Sequence, residues 1–434
     1  MGDKRATIML VLVLCFAVFA IPQIGVVNAQ AKTIVVPNDY TTIQEAIDNA
    51  FDEDIVLVKS GTYTGSVVIN KSITLVGEDK EETIILGDWS LNGTIVLVQH
   101  NGVVVKNLTM KAVYNSGPSG RGIHFLHVQN CQVLDCIFQC GIGVWLYGAF
   151  DNVVINNQII GKGVSMPNTA GIKLQHSQRN TINGNDIRGY THGYGIIFDS
   201  STDNYLVGNQ ISNNYHEILI RDSNNNNIED NNVSTSLSIF MSPTDQGMLE
   251  SYGIRIQNSS SNKIVGNSVL ACPKGIRIVS FSSHNLIENN TISDSCYNGL
   301  EFVENANYNQ VTANTIMDNW AGVNFWNSSY NIIYNNNFIN NEVSISIYSI
   351  DDRNFFDNGT IGNYWNKYAG RDNDGNGIGE TPFIIDVNNQ DNFPLINIIP
   401  ELSSWMIVPL FAAGMFAALI SRKKLTKLRK YTKS

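Results

Sequence analysis

The sequence predicts an all-β protein whose body is a right-handed parallel β-helix, a solenoid of stacked coils. Two repeated patterns predict this fold. The first is a unit of eight residues with Asn at its first and sixth positions. An aliphatic residue occupies the third position and an apolar residue the eighth. The second is a short strand that opens with Gly and a branched aliphatic residue. Because one such coil cannot bury its own apolar face, the coils must stack.

The Asn unit occurs eight times between residues 152 and 338, and its second Asn recurs at intervals of 22 to 36 residues. Its apolar residues alternate with polar ones, as in strands that turn one face into a cylinder. Each Asn can tolerate a left-handed backbone at a corner, and we expect the Asn side chains of successive coils to bond as a ladder. Cys131 and Cys136 occupy the ladder positions in an earlier coil.

The strands that open with Gly predict which side chains face solvent. Glu217 and Glu342 take the place of the Gly in two coils. Counting from each opening residue gives two outward columns. The first column reads His124, Gly143, Lys173, Ile197, Leu219, Arg255, Arg277, Glu301 and Asn324. The second column reads Leu126, Trp145, Gln175, Asp199, Arg221, Gln257, Val279, Val303 and Trp326.

Both ends of the solenoid are predicted to be capped, because an open end exposes apolar core and unpaired strand edges. Residues 30–115 comprise an N-terminal cap and the first coils, and residues 116–350 the repeats. Thr42 and Glu45 form a capping box that predicts a short helix with Ile43, Ala46 and Ile47 on one face. Residues 351–399 lose the repeat and are predicted to form the C-terminal cap.

The two termini predict a membrane-anchored protein whose body lies outside the cell. Residues 1–29 have the basic start, apolar run and small-residue end of a secretory signal. Residues 400–421 contain an apolar run long enough for a transmembrane helix, Leu402 to Ile420. Residues 422–434 carry seven Lys or Arg, which favours a cytoplasmic tail. We therefore expect a single-pass protein at the cell surface.

The net charge of the chain limits the kinds of partner that it can bind. The chain has 28 Lys and Arg against 38 Asp and Glu, a net charge of −10, and the predicted signal and tail hold nine of those cations. The acidic body argues against nucleic acid as a partner. It favours solubility and cation binding at a cell surface.

Short motifs at both ends of the body support a family resemblance. The start reads Thr33 to Pro37, Tyr40 to Ile47 and Lys59 to Tyr63, and the end carries Gly362 to Trp365 and Asp391 to Pro394. With the repeats between them, these motifs resemble the pectin-lyase-like carbohydrate-binding and sugar-hydrolase domains, and within them the NosD-type proteins of archaea and bacteria. The resemblance covers nearly all of residues 33 to 396. It implies a parallel β-helix on a prokaryotic, archaeal surface; the fold alone does not give function.

The outward columns predict a ligand-binding face. Adjacent coils lie about 4.8 Å apart, so Arg255 and Arg277 are expected to lie directly over one another, which is unfavourable unless an anion or a carboxylate offsets them. Arg binds carboxylates in a bidentate manner and exposed Trp stacks on sugar rings, so an acidic polysaccharide fits the face. The alternative is a solvated face with an ion pair between Asp199 and Arg221. The candidate ligand residues are Trp145, Lys173, Asp199, Arg221, Arg255, Gln257, Arg277 and Trp326.

Three insertions precede strands that open with Gly, and loops at equivalent coil positions emerge along one edge of a solenoid. They run from Tyr114 to Arg121, from Gly161 to Ala170 and from Ser236 to Glu250. They could wall a groove beside the outward columns, or they could be ordinary variation in loop length.

Enzymatic function is the alternative to binding or to a structural surface role. A polysaccharide lyase, epimerase or hydrolase on this fold needs a carboxylate cluster or cation beside a base. The sequence has no paired-carboxylate motif, and Asp199 with Lys173, Arg221 and His192 is the nearest constellation. We assign no catalytic residue. A NosD-like extracytoplasmic maturation factor is a further alternative, although His, Cys and Met are too scattered for a copper site.

An acidic loop and a cysteine pair complete the candidate sites. Asp372, Asp374 and Asn376 alternate with glycines and precede Glu380, a spacing of oxygen ligands that suits Ca²⁺. Cys272 and Cys296 each lie three residues before a strand-opening Gly in consecutive coils. The spacing of one coil lies within the Cα separations that disulfides accept, so we expect this pair to be bonded.

Overall fold

The computed structural model describes residues 31–88, 90–113, 120–161, 169–236, 250–349 and 351–400. In these ranges the chain forms a right-handed parallel β-helix of about 13 turns, which confirms the predicted fold class. Three parallel sheets run along the solenoid, and each coil between the two ends contributes one strand to each sheet in the order sheet 1, sheet 2, sheet 3.

Sheet 1 holds thirteen strands: Thr33–Val36, Ile55–Val58, Thr74–Gly77, Val104–Lys106, Gln132–Leu134, Val153–Ile155, Thr181–Asn183, Tyr205–Val207, Asn227–Glu229, Lys263–Val265, Leu286–Glu288, Gln310–Thr312 and Ile332–Tyr334. Sheet 2 holds thirteen: Gly61–Thr64, Thr83–Leu86, Thr109–Lys111, Ile137–Gln139, Gln158–Ile160, Asp186–Arg188, Gln210–Ser212, Asn232–Ser234, Ser268–Leu270, Thr291–Ser293, Thr315–Met317, Asn337–Ile339 and Tyr364–Trp365. Sheet 3 holds twelve: Val67–Ile69, Thr94–Val98, Arg121–Leu126, Ile142–Tyr147, Ala170–Gln175, Tyr194–Asp199, His216–Arg221, Tyr252–Gln257, Lys274–Val279, Asn298–Val303, Ala321–Trp326 and Val343–Ile347. A short antiparallel pair, Phe383–Ile384 and Gln390–Asp391, follows them.

Several predictions concern residues that the structure does not describe. They are the signal at 1–29, the membrane span from Leu402 to Ile420, the basic tail at 422–434 and nearly all of the three insertions. Within the described ranges, no helix combines the length and the apolar character needed to cross a bilayer.

The predicted asparagine ladder is present, and its side chains fill the inside of the corners. In a typical rung, Asn209 Oδ1 accepts from the backbone N–H and the Nδ2 of Asn185, each at 2.9 Å. Asn209 Nδ2 in turn donates to the carbonyl oxygens of Ile182 and Val207 and to Asn231 Oδ1. Asn209 is only 1% exposed. The ladder therefore satisfies buried backbone groups at corners where no sheet can do so.

The ladder residues do not take the left-handed backbone that Asn tolerates. The residue before each ladder Asn does: Asn156 has φ 56° and precedes Asn157, and Gly208 has φ 64° and precedes Asn209. The chain thus turns at the preceding residue, which lets the Asn side chain point inward and bond two residues back along its own coil.

The strand-opening glycines of sheet 3 are required by close packing between coils. A Cβ on Gly143 would lie 2.6 Å from the carbonyl oxygen of Gly171, and one on Gly171 would lie 2.7 Å from that of Gly195. In two coils the sequence pattern misplaced this position by two residues. The register aligns Gly143, not Gly141, with its neighbours, and the equivalent residue near the end is Ser344, not Glu342.

The N-terminal cap is the predicted helix, Ile43–Asp48, with its capping box formed by Thr42 and Glu45. Ile43, Ala46 and Ile47 are buried in the core. The helix end is also satisfied, because Lys71 Nζ donates to the carbonyl oxygens of Ile47, Asp48 and Ala50. These contacts close the first coils of the solenoid.

The C-terminal cap extends the ladder beyond the point where the repeat was predicted to end. Asn336 Nδ2 donates to Asn363 Oδ1 at 2.9 Å. Trp365 stacks on Phe338, with centroids 4.4 Å apart, and its Nε1 donates to Asp391 Oδ2 at 2.8 Å. Asp391 Oδ2 also accepts from the backbone N–H of Asn363. The two end motifs therefore meet and close the core. Burial of Asp391 in this contact raises its pKa to about 6.

The predicted disulfide between Cys272 and Cys296 is absent from the structure, which has both thiols free. The register confirms that the two residues occupy equivalent positions in consecutive coils, two residues before Lys274 and Asn298. Equivalence of position does not bring the sulfurs together. Cys272 is fully buried with its Sγ against Thr235 Oγ1, whereas Cys296 is partly exposed.

Glu217 is a buried carboxyl in the solenoid core, at a position where other coils have Gly. It accepts from Asn214 Nδ2 at 2.6 Å and from Thr235 Oγ1 at 2.7 Å, yet burial still raises its pKa to about 8. The folded state therefore holds a proton that the unfolded chain releases above the ordinary glutamate pKa of 4.5. Stability is accordingly lost as the pH rises from about that value towards the folded pKa.

We expect Glu217→Gln to remove this dependence and to raise the free energy of unfolding at pH 7 by at most about 3 kcal/mol, the linkage value for the shift. Guanidinium unfolding at pH 5 and pH 8 measures it. The exposed Glu342→Gln is the control and should leave the pH dependence unchanged. Equal pH dependence in the wild type and Glu217→Gln would contradict a neutral buried carboxyl.

Candidate functional site

The outer face of sheet 3 carries three columns of side chains, one residue per coil. The first column is Arg121, Ile142, Ala170, Tyr194, His216, Tyr252, Lys274, Asn298 and Ala321. The middle column is His124, Trp145, Lys173, Ile197, Leu219, Arg255, Arg277, Glu301 and Asn324. The third column is Leu126, Tyr147, Gln175, Asp199, Arg221, Gln257, Val279, Val303 and Trp326.

Trp145 lies in the middle column, not in the third as predicted, because it pairs with His124 and Lys173. Tyr147 takes the third-column place. The first column was missed altogether. A Cβ on Gly122 would meet Phe138 in the core, so the Gly interrupts the inward–outward alternation and lets the residue before it face out. A polar or aromatic residue before the strand-opening position in six of the nine coils was the available signal.

The first cluster on this face surrounds Trp145. His124 stacks on the indole with centroids 4.4 Å apart, Arg121 Cζ lies 4.5 Å from its ring centroid, and Lys173 Nζ lies 5.5 Å from it. Burial, with nearby Arg121 and His127, lowers the pKa of His124 to about 4, so the ring is neutral at pH 7. Burial also lowers the pKa of both Arg121 and Lys173. Cations stacked on an indole this way are held in place without a carboxylate.

The second cluster contains the predicted arginine pair. Arg255 and Arg277 are register partners, as expected. Arg277 is already neutralised, since its Nε lies 2.6 Å from Glu301 Oε2, and Lys274 Nζ lies 3.5 Å from the same oxygen. Arg255 instead lies over the ring of Tyr252, 5.6 Å from the centroid. The pair is thus offset on one side by Glu301, and Arg255 is the cation left over.

An apolar stretch separates the two clusters. Ile197 and Leu219 of the middle column are 5% and 4% exposed and pack with Ala170 and Tyr252 outside the main core. His216 stacks on Tyr252 with centroids 4.2 Å apart. Burial, together with the nearby Arg255 and Arg277, lowers the pKa of His216 to about 3.

The third column contributes an ion pair and an exposed ring. Arg221 Nη2 and Asp199 Oδ2 lie 2.9 Å apart, as the alternative interpretation of the face expected. Gln257 follows Arg221 in the column, and Trp326 is 60% exposed at the far end. Asp199 also raises the pKa of Lys173 against the effect of burial. His192 contacts only its neighbour Thr191 among the contacts that the structure defines, so it does not join Asp199.

Unsatisfied polar atoms concentrate on this face. Of ten buried side-chain polar atoms without a hydrogen-bond partner among the described residues, eight belong to its first two columns. They are Arg121 Nε, His124 Nε2, Trp145 Nε1, His216 Nδ1, Arg255 Nε, Arg277 Nε, Glu301 Oε2 and Asn324 Oδ1. Arg277 Nε and Glu301 Oε2 meet as an ion pair, but without hydrogen-bond alignment. Buried polar groups normally find partners, so we expect water or a polar ligand to complete the hydrogen bonding on this face.

The acidic loop near the C-terminal cap folds its oxygens onto its own backbone. Asp372 accepts from the N–H groups of Gly375 and Gly377 at 2.7 and 2.9 Å, and Asp374 accepts from Asn376. Glu380 accepts from the backbone N–H of Asn373 at 3.0 Å. No three His, Cys, Asp or Glu side chains among the described residues lie close enough together to hold a metal ion. Calcium binding by Asp372, Asp374, Asn376 and Glu380 stays a prediction.

Titration calorimetry of the wild type with Ca²⁺ tests that prediction. We expect uptake that the double variant Asp372→Ala/Asp374→Ala loses, because these residues supply the two carboxylates of the alternating motif. Asp357→Ala, another acidic residue of the same cap, is the control. The same uptake in both proteins, or none in either, would exclude a calcium site in this loop.

Comparison with known proteins identifies the fold and the family. The family model described as "Periplasmic copper-binding protein (NosD)" matches residues 47–248, 162–286 and 244–370. A cell surface glycoprotein of the archaeon Methanothermus fervidus is 31% identical over 101 residues, covering 20% of this chain. The chain spans only 17% of that relative's length.

Solved structures share the solenoid at low sequence identity. A Dettilon tailspike protein aligns over 73% of this chain and 68% of its own with a TM-score of 0.58 and 14% identity. The catalytic domain of a GH87 α-1,3-glucanase aligns over 76% of this chain and 69% of its own, with a TM-score of 0.54 and 14% identity. A mutant of the periplasmic alginate epimerase AlgG aligns over 75% of this chain and 84% of its own, with a TM-score of 0.53 and 13% identity. At these identities the likeness shows the fold alone.

In the part of the chain that the structure describes, the sheet 3 face lacks the donor set that the copper named in the family description would need. Two histidines lie in the first two columns of this face. His124 stacks on Trp145, and His216 stacks on Tyr252. Since no cluster of three ligating side chains exists among the described residues, the set does not fit a copper centre.

Proposed function

Because the chain belongs to the NosD family of β-helix proteins, we propose that it is a cell-surface protein that binds an acidic polysaccharide on the outer face of sheet 3. The observation that carries the proposal is the concentration of unsatisfied polar atoms there. Six cations (Arg121, Lys173, Arg221, Arg255, Lys274 and Arg277) share this face with Asp199, Glu301 and the nearby Glu250. An excess of cations on a chain of net charge −10 favours an anionic partner.

The chemistry of the face suits uronate or sulfated sugars. Arg255 has no carboxylate partner within the described residues and presents the planar fork that binds a carboxylate at two points. Trp326 offers an exposed ring for the apolar face of a sugar. Gln257 adjoins Arg221 and can hydrogen-bond hydroxyl groups. A polar, partly cationic strip with one aromatic end is the arrangement that an extended acidic glycan needs.

The surface location is part of the same proposal. It is supported by the sequence pattern of a signal at 1–29, by the apolar run from Leu402 to Ile420 with its basic tail, and by the similarity to a cell surface glycoprotein. In this arrangement the apolar run anchors the chain and the solenoid lies outside the membrane. A polysaccharide of the cell envelope would then be within reach of sheet 3.

A glycan array probed with the full-length protein tests the proposal. We expect reversible binding to polyuronates and sulfated polysaccharides, weakened by salt, and none to neutral glucans. Turnover of a bound glycan would instead support the lyase, epimerase or hydrolase alternative. Absence of both binding and turnover across the acidic glycans would contradict the proposal and leave a structural surface role.

A further inference from the structure

We infer that sheet 3 holds two separate anion subsites, and that its ligand is a linear polyanionic chain lying along the solenoid axis across both. The inference rests on the proposed function and specifies it. The observation behind it is a difference among the six cations of this face. Arg221, Lys274 and Arg277 each form an ion pair with a carboxylate. Arg121, Lys173 and Arg255 have no carboxylate within ion-pair distance among the described residues.

The first subsite is formed by Arg121 and Lys173, which converge on the Trp145 ring from the coils before and after it. Burial lowers the pKa of Lys173, the nearby Asp199 raises it, and the positive charges of Arg221 and Arg121 lower it further, so Lys173 lies within range of the charge of Arg121. Arg121 Nε and the ring nitrogens His124 Nε2 and Trp145 Nε1 have no hydrogen-bond partner, and His124 is only 8% exposed. An anionic group seated between the cations would neutralise them and accept charge-assisted hydrogen bonds from the guanidinium and ammonium groups.

The second subsite is formed by Arg255, with Arg277 beneath it in the next coil. Arg277 and Lys274 are committed to Glu301, so the unneutralised charge belongs to Arg255. Arg255 Nε and the neighbouring His216 Nδ1 are buried without partners. His216 itself is neutral at pH 7 because burial lowers its pKa to about 3, so it adds a hydrogen-bonding atom and no charge.

The distance between the subsites defines the ligand. Lys173 and Arg255 are separated by three register steps, through Ile197 and Leu219. At about 4.8 Å per coil this is about 14 Å, too far for one carboxylate or sulfate group to bridge. Ile197 and Leu219 are nearly fully buried and offer no polar contact between them. The ligand must therefore carry at least two anionic groups, no less than about 14 Å apart along one chain, as a polyuronate or a sulfated polysaccharide does.

Two subsites on one rigid solenoid predict a length threshold in binding. A fragment shorter than the span engages one subsite at a time. A fragment that reaches both makes the second contact intramolecular, and linking two weak sites raises overall affinity by about 100-fold or more. A single continuous face would instead give affinity that grows smoothly with each added sugar.

Calorimetry of the full-length protein with size-fractionated oligouronates tests this. We expect a step of about 100-fold or more in affinity at the fragment length that spans the subsites. Arg121→Ala and Lys173→Gln should each remove the step, while the shortest fragments still bind at Arg255. Lys263→Ala, an exposed cation on sheet 1, is the matched control and should keep the step. Retained binding of short fragments also shows that the variants are folded.

The outcomes separate this inference from the proposed function. A smooth rise with length, or a step that survives both Arg121→Ala and Lys173→Gln, would overturn the two-subsite arrangement while leaving polysaccharide binding in place. Failure of the wild type to bind any oligouronate or sulfated fragment would overturn the proposed function, and this inference with it.

Discussion

Asn209→Ala is expected to lower the free energy of unfolding by roughly 3–5 kcal/mol, because it leaves several buried backbone groups without partners at once. The side chain accepts from the backbone N–H of Asn185 and donates to the carbonyl oxygens of Ile182 and Val207. Each lost partner costs about 1–3 kcal/mol when the group left behind is buried. Alanine offers none of these bonds, and water cannot reach a position that is 1% exposed.

Guanidinium unfolding followed by circular dichroism measures the effect. The matched control is Gln210→Ala, the next residue, which faces outward from sheet 2 and is exposed. It should change the free energy of unfolding by no more than about 0.5 kcal/mol. An Asn209→Ala loss no larger than that of the control would mean that the ladder does not stabilise the corners. A reduced denaturant slope would indicate that the solenoid splits at this coil, since neighbouring coils couple in such folds.

The second large effect concerns binding. Arg255→Ala with Arg277→Ala is expected to weaken acidic-polysaccharide binding by at least about 100-fold, since a charge-assisted hydrogen bond contributes about 1.5–3 kcal/mol. From the stacked arginines alone, the double variant would be expected to keep or slightly raise the free energy of unfolding. The contacts of Arg277 in the structure predict a decrease instead. Removing Arg277 leaves Glu301, only 6% exposed, with Lys274 at 3.5 Å as its remaining ion-pair partner. Removing one partner of a buried ion pair is destabilising, so we expect the double variant to lose stability.

Arg255→Ala alone separates the two effects. Arg255 has no carboxylate partner among the described residues, so its loss should cost binding and spare stability. Arg255→Lys keeps the charge but not the planar fork, and intermediate binding would indicate bidentate recognition. Arg179→Ala, an exposed arginine paired with Asp151, is the control for removing positive charge elsewhere. Unchanged binding of every acidic glycan by the double variant would exclude this face as the site.

The repeat made most of the fold predictable from sequence. Each Asn rung and each inward aliphatic residue is a local pattern that a single coil displays, and the capping box at Thr42 is equally local. What the pattern could not give was register where two nearby positions both fit it. Gly141 and Glu342 fit the opening pattern locally, yet the ladder of parallel hydrogen bonds selects positions two residues further on.

The candidate site was less predictable because its geometry depends on contacts between coils. Strict alternation directed Arg121 and Tyr252 inward, whereas the crowding at the strand-opening Gly turns them out onto the face. The stacked arginines were found from spacing alone, but their neutralisation by Glu301 depends on the side-chain conformations. The same holds for Cys272 and Cys296, whose positions are equivalent while their side chains differ in burial.

A crystal structure of the protein bound to an acidic oligosaccharide long enough to cover six coils is the sharpest test of binding along sheet 3. We expect the oligosaccharide to lie along this sheet, with one carboxylate or sulfate between Arg121 and Lys173 and another against Arg255. An oligosaccharide bound to another face, or bound to sheet 3 without contacting either group of cations, would show the proposed binding mode to be wrong.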